Sequence, residues 1–163
     1  AQILKDLNNE IIRVLDQKSG GELQDGMDIA LCLIDKKHNK LSFSGARNGI
    51  IIISGGTTFK IDADLFSVGG SFSKKSKKMK RDFKNNQVSF NKGDWVFMYS
   101  DGYFDQLSGT TMTSMGMDKF KAILQGSISN DTDKKDFLLQ EFNSWKGEFP
   151  QIDDLLVMGF KLE

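Results

Sequence analysis

The stretch WVFMYSDG, at residues 95–102, decides the fold and points to the function. Its first five residues are apolar and mostly aromatic, which favours a strand in the core. Ser100, Asp101 and Gly102 then follow as a typical turn sequence, so the strand is predicted to end there. An aspartate at the end of a buried strand is held rigidly at the edge of the core, and glycine lets the backbone turn sharply beside it. Asp101 is therefore a candidate site residue.

A second pair of carboxylates, Asp153 and Asp154, lies directly before the last apolar stretch of the chain. Aspartates at the ends of two strands converge on one point if the strands are neighbours in a sheet. Oxygen ligands of this kind suit hard cations such as Mg²⁺ or Mn²⁺, which can activate a water for attack on phosphorus. The alternative stays open at this point, since Asp-Gly is also a common turn and Asp-Asp before a strand is often a solvated edge.

The rest of the chain predicts an α+β fold. A helix is expected at residues 3–17, where apolar residues recur at spacings of three and four. Strands are expected at residues 28–34, 41–45, 50–53, 57–61, 65–68, 88–90, 95–99 and 155–162, and further helices at residues 117–124 and 130–145. A run of strands followed by a run of helices indicates a layered α+β domain with a mainly antiparallel sheet, in one domain over residues 1–163.

Two local features sharpen this prediction. Residues 28–34 are almost continuously apolar, which predicts a strand buried on both faces, with Cys32 packed in the core. Asn130-Asp131 has the residue types of a helix N-cap and is predicted to begin the last helix.

The composition argues against several classes of protein. The chain has 163 residues with one cysteine, Cys32, and one histidine, His38, so a disulfide framework, a cysteine-rich zinc site and a Ser-His-Asp triad are not expected. The 22 basic and 22 acidic residues balance, which gives no overall field toward nucleic acid or a membrane surface. No apolar run approaches the roughly 20 residues of a membrane span. The chain begins at Ala1 without an initiator methionine or a signal peptide, so we expect a piece of a longer polypeptide.

Residues 74–81 carry six positive charges in eight positions and little apolar material. We predict an exposed loop there. A solvated loop and a binding site for an acidic partner or a phosphoprotein both stay open. No aromatic side chains lie between the charges, so the stretch does not favour single-stranded nucleic acid.

Five motifs, in order, resemble the SpoIIE-like branch of the metal-dependent (type 2C, PPM) protein phosphatases. They are DGMDIALC at 25–32, FSGARN at 43–48, KGD at 92–94, YSDGYFDQ at 99–106 and QIDDLLV at 151–157. The resemblance covers most of the chain and is closest to phosphatase domains fused to sensor or repeat regions in bacterial signalling proteins. It implies an α-β-β-α sandwich with a two-metal centre between its sheets. It also implies hydrolysis of phosphoserine or phosphothreonine by a metal-activated water.

The resemblance also implies roles for residues, position by position. Asp101 would be a ligand of Mn²⁺ or Mg²⁺, with Gly102 at its turn, and Asp153 would be the second metal aspartate. Asp154 takes that role if the register differs by one residue.

Three other residues are weaker candidates. Asp25 and Asp28 fall near the place where some relatives hold a further metal. Arg47 stands where close relatives tend to have asparagine, in a Gly-Ala-Asn-Asn-Pro sequence. Its guanidinium could bind phosphate, and a plain surface arginine is the alternative.

One departure from the family leaves two explanations open. Relatives carry an upstream strand pair whose aspartate, in a Gly-His-Gly type motif, bridges both metals, whereas this chain begins with the helix that normally follows that pair. The chain is then either an N-terminally truncated enzyme or a catalytically incomplete pseudophosphatase that acts as a protein-interaction module.

The resemblance implies a cytoplasmic setting in bacteria, with an upstream sensor or repeat domain. It implies a phosphorylated protein substrate such as an anti-sigma-factor antagonist. We also expect a homodimer, because a truncated sandwich exposes sheet edges that can pair.

Overall fold

The structure is a computed structural model, and it describes residues 1–17, 24–70, 82–130 and 133–163. The predicted basic loop at residues 74–81 lies outside the described residues. In chain order the elements are α1 (Gln2–Val14), β1 (Gly26–Met27), β2 (Ile29–Asp35), β3 (Lys40–Ala46), β4 (Ile50–Ser54), β5 (Thr57–Ile61), β6 (Val68–Gly69), β7 (Asn86–Ser89), β8 (Trp95–Tyr99), α2 (Gly102–Asp105), α3 (Met117–Ser129), α4 (Lys134–Lys146) and β9 (Val157–Lys161). The predicted α+β class is confirmed, and the pairings β1–β6, β2–β3, β3–β7 and β8–β9 are antiparallel as expected.

The chain forms two compact units. The first comprises residues 1–50, 60–92 and 162–163, and the second comprises residues 51–59 and 93–161. The single domain expected over residues 1–163 stays a prediction.

In the first unit, the predicted amphipathic helix is present as α1. Leu4, on its apolar stripe, is buried in a cluster with Ala46, Val68 and Phe83. The strands form a three-stranded sheet of order β2-β3-β7 and a two-stranded sheet of β1 and β6.

Two buried amide side chains at the α1 end of this unit bind the backbone of the β1–β6 pair. Asn8 accepts a hydrogen bond from the Gly69 N–H at 3.0 Å. Gln17 accepts from the Gly70 N–H at 3.1 Å and donates to the Asp25 carbonyl at 2.7 Å. Since buried backbone groups need partners, these amides fix the short strand pair to the helix.

The environment of β2 differs from the prediction. The strand forms where expected, but none of its residues is fully buried, and Leu33 is 68% exposed. Cys32, expected in the core, is only partly buried. Among the described strands, β2 lies at the edge of its sheet beside β3. An apolar run predicts a strand, but whether both faces are covered depends on elements distant in sequence.

The second unit has a four-stranded sheet of order β5-β4-β8-β9. The buried strand predicted at residues 95–99 is β8, and Val96, Phe97 and Tyr99 are buried in it. In the antiparallel pairing of β8 with β9, Tyr99 lies opposite Val157. The end of β8 is thus placed beside the start of β9.

Aromatic side chains fill the core of this unit. The ring of Phe120 lies 5.3 Å from Tyr99 and 4.8 Å from Tyr103, and Tyr103 lies 5.2 Å from Phe142. The Tyr103 hydroxyl donates to the Leu138 carbonyl at 2.7 Å. Burial raises the pKa of Tyr103, because the phenolate would lose its hydration.

The helices of this unit differ from the prediction at their ends. The helix expected at residues 117–124 continues to Ser129 as α3. The last helix is capped by Asp133 rather than by Asn130, and Asp131 of the predicted cap lies outside the described residues. The Asp133 side chain accepts from two N–H groups of the first turn at 2.9 and 3.2 Å. Several cap-forming residues lie close together here, and local sequence does not select among them. No helix within the described ranges has the length and apolar character needed to cross a membrane.

Candidate metal centre

Asp101 begins a short helix, α2, that the sequence pattern does not predict. The Asp101 carbonyl accepts from the Phe104 and Asp105 N–H groups at 3.1 and 3.0 Å. Within the described part of the chain, the Asp101 side chain is exposed and makes no capping hydrogen bond. The strand and the helix fix its backbone while its carboxylate faces solvent, so this carboxylate is available as a ligand.

Ser100 joins the end of β8 to the segment before β9. Its N–H donates to the Leu156 carbonyl at 3.0 Å. Its hydroxyl donates to the Asp154 carbonyl at 2.8 Å and accepts from the Leu156 N–H at 2.9 Å. From the sequence, Asp101 and Asp153 were expected to converge if their two strands are neighbours. The two strands, β8 and β9, are neighbours.

Gly102 lies against this same segment. A Cβ built on Gly102 would stand 2.4 Å from the Asp154 carbonyl oxygen and 3.1 Å from the Asp153 Cβ. Gly102 is not among the glycines with positive φ, so close approach, rather than a left-handed turn, requires glycine here. Asp153 thus lies directly beside the Asp101-Gly102 peptide.

Asp105 lies near Asp101 and Asp153, and it was not among the site residues predicted from the sequence. Burial raises the pKa of its carboxyl, and the charges of Asp101 and Asp153 raise it further. The three carboxylates therefore share one region of negative potential. The spacing of four residues between Asp101 and Asp105 was the available signal, but it indicates proximity only once α2 is known.

The donor set suits a hard divalent cation. Asp101, Asp105 and Asp153 offer only oxygen ligands, and a cation would relieve the repulsion that raises the pKa of Asp105. Within the described residues, no group of three or more His, Cys, Asp or Glu side chains is already arranged to hold a metal. A cation here would therefore keep several waters, as Mg²⁺ commonly does.

The weaker candidates lie in the first unit. Asp28 pairs with Arg47 at 3.1 Å and accepts a hydrogen bond from the Ser67 hydroxyl. These residues line a cavity of about 520 Å³. The side chain of Asp25 is exposed, and its carbonyl accepts the hydrogen bond from Gln17. Because Asp28 is already balanced by a guanidinium, the structure offers less support for a metal here than beside Asp101.

The glycine of the FSGARN motif has a clear structural role. A Cβ on Gly45 would lie 2.5 Å from the Asn48 carbonyl oxygen and 2.5 Å from the ring of Phe43. Arg47 has a positive φ of 59°, and its N–H donates to the Asp64 carbonyl at 2.8 Å. The motif is thus a tight backbone crossing that places Arg47 at the cavity.

The fold is that of the PP2C-type phosphatase domains. The SiaA-PP2C domain of Pseudomonas aeruginosa superposes with a TM-score of 0.75 at 18% identity, over 99% of this chain and 68% of that chain. The manganese-presoaked phosphatase domain of SpoIIE, the cell fate determinant of Bacillus subtilis, gives a TM-score of 0.61 at 16% identity, over 100% of this chain and 74% of that chain. RsbX in complex with magnesium gives a TM-score of 0.54 at 12% identity, over 99% of this chain and 72% of that chain.

The family follows from the sequence. The family model of Stage II sporulation protein E (SpoIIE) matches residues 1–163, so the chain belongs to the SpoIIE family. Comparison with curated proteins gave no match. The resemblance identified from the five motifs is confirmed, and so is the fold of the metal-dependent phosphatase type.

Proposed function

We propose that this chain is the metal-dependent phosphatase domain of a bacterial signalling protein, and that it acts on phosphoserine or phosphothreonine. The observation that carries the proposal is the approach of Asp153 to the Asp101-Gly102 peptide, at the adjoining ends of β8 and β9. Asp101 and Asp153 would hold Mn²⁺ or Mg²⁺, and Asp154 would replace Asp153 if the register differs. When bound, the metal supplies an activated water and neutralises charge on the phosphoryl oxygens.

The chain's own residues would bind and orient that metal. Asp101 presents its carboxylate from a backbone held between β8 and α2, so little reorganisation is needed on binding. Gly102 removes the side chain that would separate Asp101 from Asp153. Asp105 adds negative potential and favours a cation at this place.

The substrate proposed for the domain is a phosphorylated protein, such as an anti-sigma-factor antagonist, in the cytoplasm. Fusion to an upstream sensor or repeat domain remains a prediction from the family resemblance. The homodimer remains a prediction from the exposed sheet edges of a truncated sandwich. Two further roles stay proposals. Asp25 and Asp28 would belong to a further metal site, and Arg47 would bind phosphate. The ion pair between Asp28 and Arg47 means that either role requires the pair to open.

A second candidate function is a pseudophosphatase that binds a partner without hydrolysis. Its support is that the described carboxylates do not complete a metal site by themselves. In the family, the aspartate that bridges both metals comes from a segment upstream of the helix that corresponds to α1. The two candidates differ in whether the acidic residues bind a metal with useful affinity.

Metal affinity is therefore the primary test. Titration of the chain with Mn²⁺ in a calorimeter should show binding that Asp101→Asn and Asp153→Asn each weaken about tenfold or more, because affinity depends on the number of charged ligands. Asp118→Asn is the matched control, since Asp118 is fully exposed on α3 and pairs with Lys121 at 3.4 Å. This control should stay within about twofold of the parent chain, because the charge of a fully exposed side chain is screened by water and salt.

Hydrolysis of a phosphoserine peptide and of p-nitrophenyl phosphate is the second readout. Metal-dependent hydrolysis that is lost in Asp101→Asn supports the phosphatase. A folded chain with neither Mn²⁺ binding nor hydrolysis supports the pseudophosphatase if the same chain extended upstream is inactive as well, because a truncated enzyme without its bridging aspartate would also be inactive by itself. If Asp154→Asn weakens binding and Asp153→Asn does not, the ligand at this segment is Asp154.

A further inference from the structure

We propose that Gln106 and Ser100 are positioning residues that together hold the Asp153 backbone beside the Asp101-Gly102 peptide, and that metal binding depends on this placement. This inference rests on the proposed function of the carboxylates. It adds two residues that do not themselves face the metal. They act by fixing the backbone on both sides of Asp153.

Gln106 fixes the backbone on the N-terminal side. Its side chain is fully buried, with 0% exposure. Its Nε2 donates to the Pro150 carbonyl at 3.0 Å and to the Leu107 carbonyl at 3.1 Å. Its Oε1 accepts from the Ile152 N–H at 3.3 Å. The amide is therefore bonded to both ends of the three-residue segment that leads directly into Asp153.

The chemistry of the partners specifies an amide at position 106. Pro150 can only accept, since it has no N–H, and the Ile152 N–H can only donate. A side chain must therefore donate and accept at once. A carboxylate lacks the donor, and an apolar side chain of the same size lacks both. A purely space-filling role would favour an apolar residue here, because a buried polar group is costly unless it is bonded.

Ser100 fixes the backbone on the C-terminal side. Its hydroxyl donates to the Asp154 carbonyl at 2.8 Å and accepts from the Leu156 N–H at 2.9 Å. Ser100 precedes Asp101 in the chain, and Gln106 follows it by five residues. One short segment thus carries the Asp101 ligand together with both side chains that hold the Asp153 backbone.

Gln106 is itself held firmly. Its carbonyl accepts from the Trp145 Nε1–H at 2.9 Å and from the Met115 N–H at 3.1 Å. These two donors come from α4 and from the segment before α3, so the backbone of Gln106 is bonded to two other parts of the second unit. Residues that orient metal ligands in this way change metal affinity by about 10- to 100-fold when they are replaced.

The test compares Gln106→Met with Tyr103→Phe. Methionine has nearly the shape of glutamine but makes neither hydrogen bond. Tyr103→Phe also removes a buried hydrogen bond in the second unit, from the Tyr103 hydroxyl to the Leu138 carbonyl on α4, and this bond does not involve the Asp153 segment. For each variant, the test measures the hydrogen-exchange rates of individual amides, the Mn²⁺ affinity by calorimetry and the melting temperature.

In the metal-free chain, Gln106→Met should increase the hydrogen-exchange rate of the Ile152 amide. This increase should be at least tenfold larger than any increase in the rates of the β8 amides. Tyr103→Phe should not change exchange at Ile152 relative to β8. In the Mn²⁺ titration, Gln106→Met should weaken binding about tenfold or more, whereas Tyr103→Phe should stay within about twofold even if its melting temperature falls equally. If Gln106 only stabilised the fold, the Mn²⁺ affinities of Gln106→Met and Tyr103→Phe would both fall in proportion to the losses of melting temperature.

The inference fails if folded Gln106→Met leaves Ile152 exchange unchanged, or binds Mn²⁺ within twofold of the parent chain. If Gln106→Met does not fold, Ser100→Ala carries the same test, read at the Leu156 amide. A parent chain that binds no Mn²⁺ refutes the proposed metal site, and the exchange data then decide separately whether Gln106 and Ser100 hold the segment.

Discussion

The backbone carbonyl of Asp154 lies where the side chain of residue 102 would begin: a Cβ on Gly102 would stand 2.4 Å from that oxygen. Atoms do not pack at this distance, so a larger residue at position 102 must displace one of the two segments. Both segments carry candidate ligands, Asp101 and Asp153. The glycine therefore sets how closely the two acidic segments approach.

Gly102→Ala should lower the free energy of unfolding by about 1–3 kcal/mol, because the added methyl group meets backbone rather than a flexible side chain. Urea denaturation measures this. Gly126→Ala is the matched control, since its Cβ would lie 3.2 Å from the ring of Phe137, which can move, and alanine favours helix α3. A Gly102→Ala chain as stable as the parent would contradict the close approach.

Asp105→Asn should stabilise the metal-free chain at neutral pH. The folded-state pKa of Asp105 is raised by burial and by Asp101 and Asp153, so the stability gained from its bound proton is present at low pH and lost as the pH rises through that pKa. Asparagine cannot ionise and avoids this loss. Because Asp105 is largely exposed, we expect a rise in Tm of only about 1–3 °C at pH 7 and little difference at pH 3. An equal or larger rise at pH 3 would contradict this assignment.

Gln17→Met should cost about 2–4 kcal/mol of stability. It leaves the buried Gly70 N–H without its partner, and an unsatisfied buried group is expensive. It also removes the hydrogen bond to the carbonyl of the exposed Asp25. Gln2→Met provides the same substitution at an exposed position, where the amide bonds only Asp6 at 2.7 Å, and it should cost less than about 0.5 kcal/mol. Similar losses in the two variants would show that the Gln17 hydrogen bonds add little.

Cys32 should react slowly with thiol reagents in the folded chain. Burial raises the pKa of its thiol to about 11, so about 0.1% is thiolate at pH 8, compared with about a quarter for an ordinary cysteine. Ellman's reagent reads this residue alone, since the chain has no other cysteine. Labelling at pH 8 should be at least about 100-fold slower in buffer than in 6 M urea. Native labelling within tenfold of the unfolded rate would argue against the burial.

The strands and the first helix could be predicted because their signals are local. The run of apolar residues at 95–99 predicts strand β8, and apolar residues at spacings of three and four, Leu4 among them, predict helix α1. Whether both faces of β2 are buried could not be predicted from local sequence, and Leu33 on this strand is exposed. The cap at Asp133 was also missed, because several neighbouring residues have side chains that can cap a helix.

The sequence also indicated some residues of the candidate site, whereas others were apparent only in the structure. The sequence indicated that Asp101 and Asp153 lie at strand ends, and family motifs supplied their proposed roles. Asp105 and the hydrogen bonds of Gln106 were not apparent, because they depend on the short helix α2 and on a segment more than 40 residues away. Neither leaves a periodic pattern in the chain.

By itself, the sequence determined the family, the α+β class and the positions of the acidic residues relative to the strands, since each of these depends on residue type and spacing. Only the tertiary structure decided that the Asp153 segment lies against Gly102. That contact joins residues more than 50 positions apart, and it exists because β8 pairs with β9 and because residue 102 has no side chain.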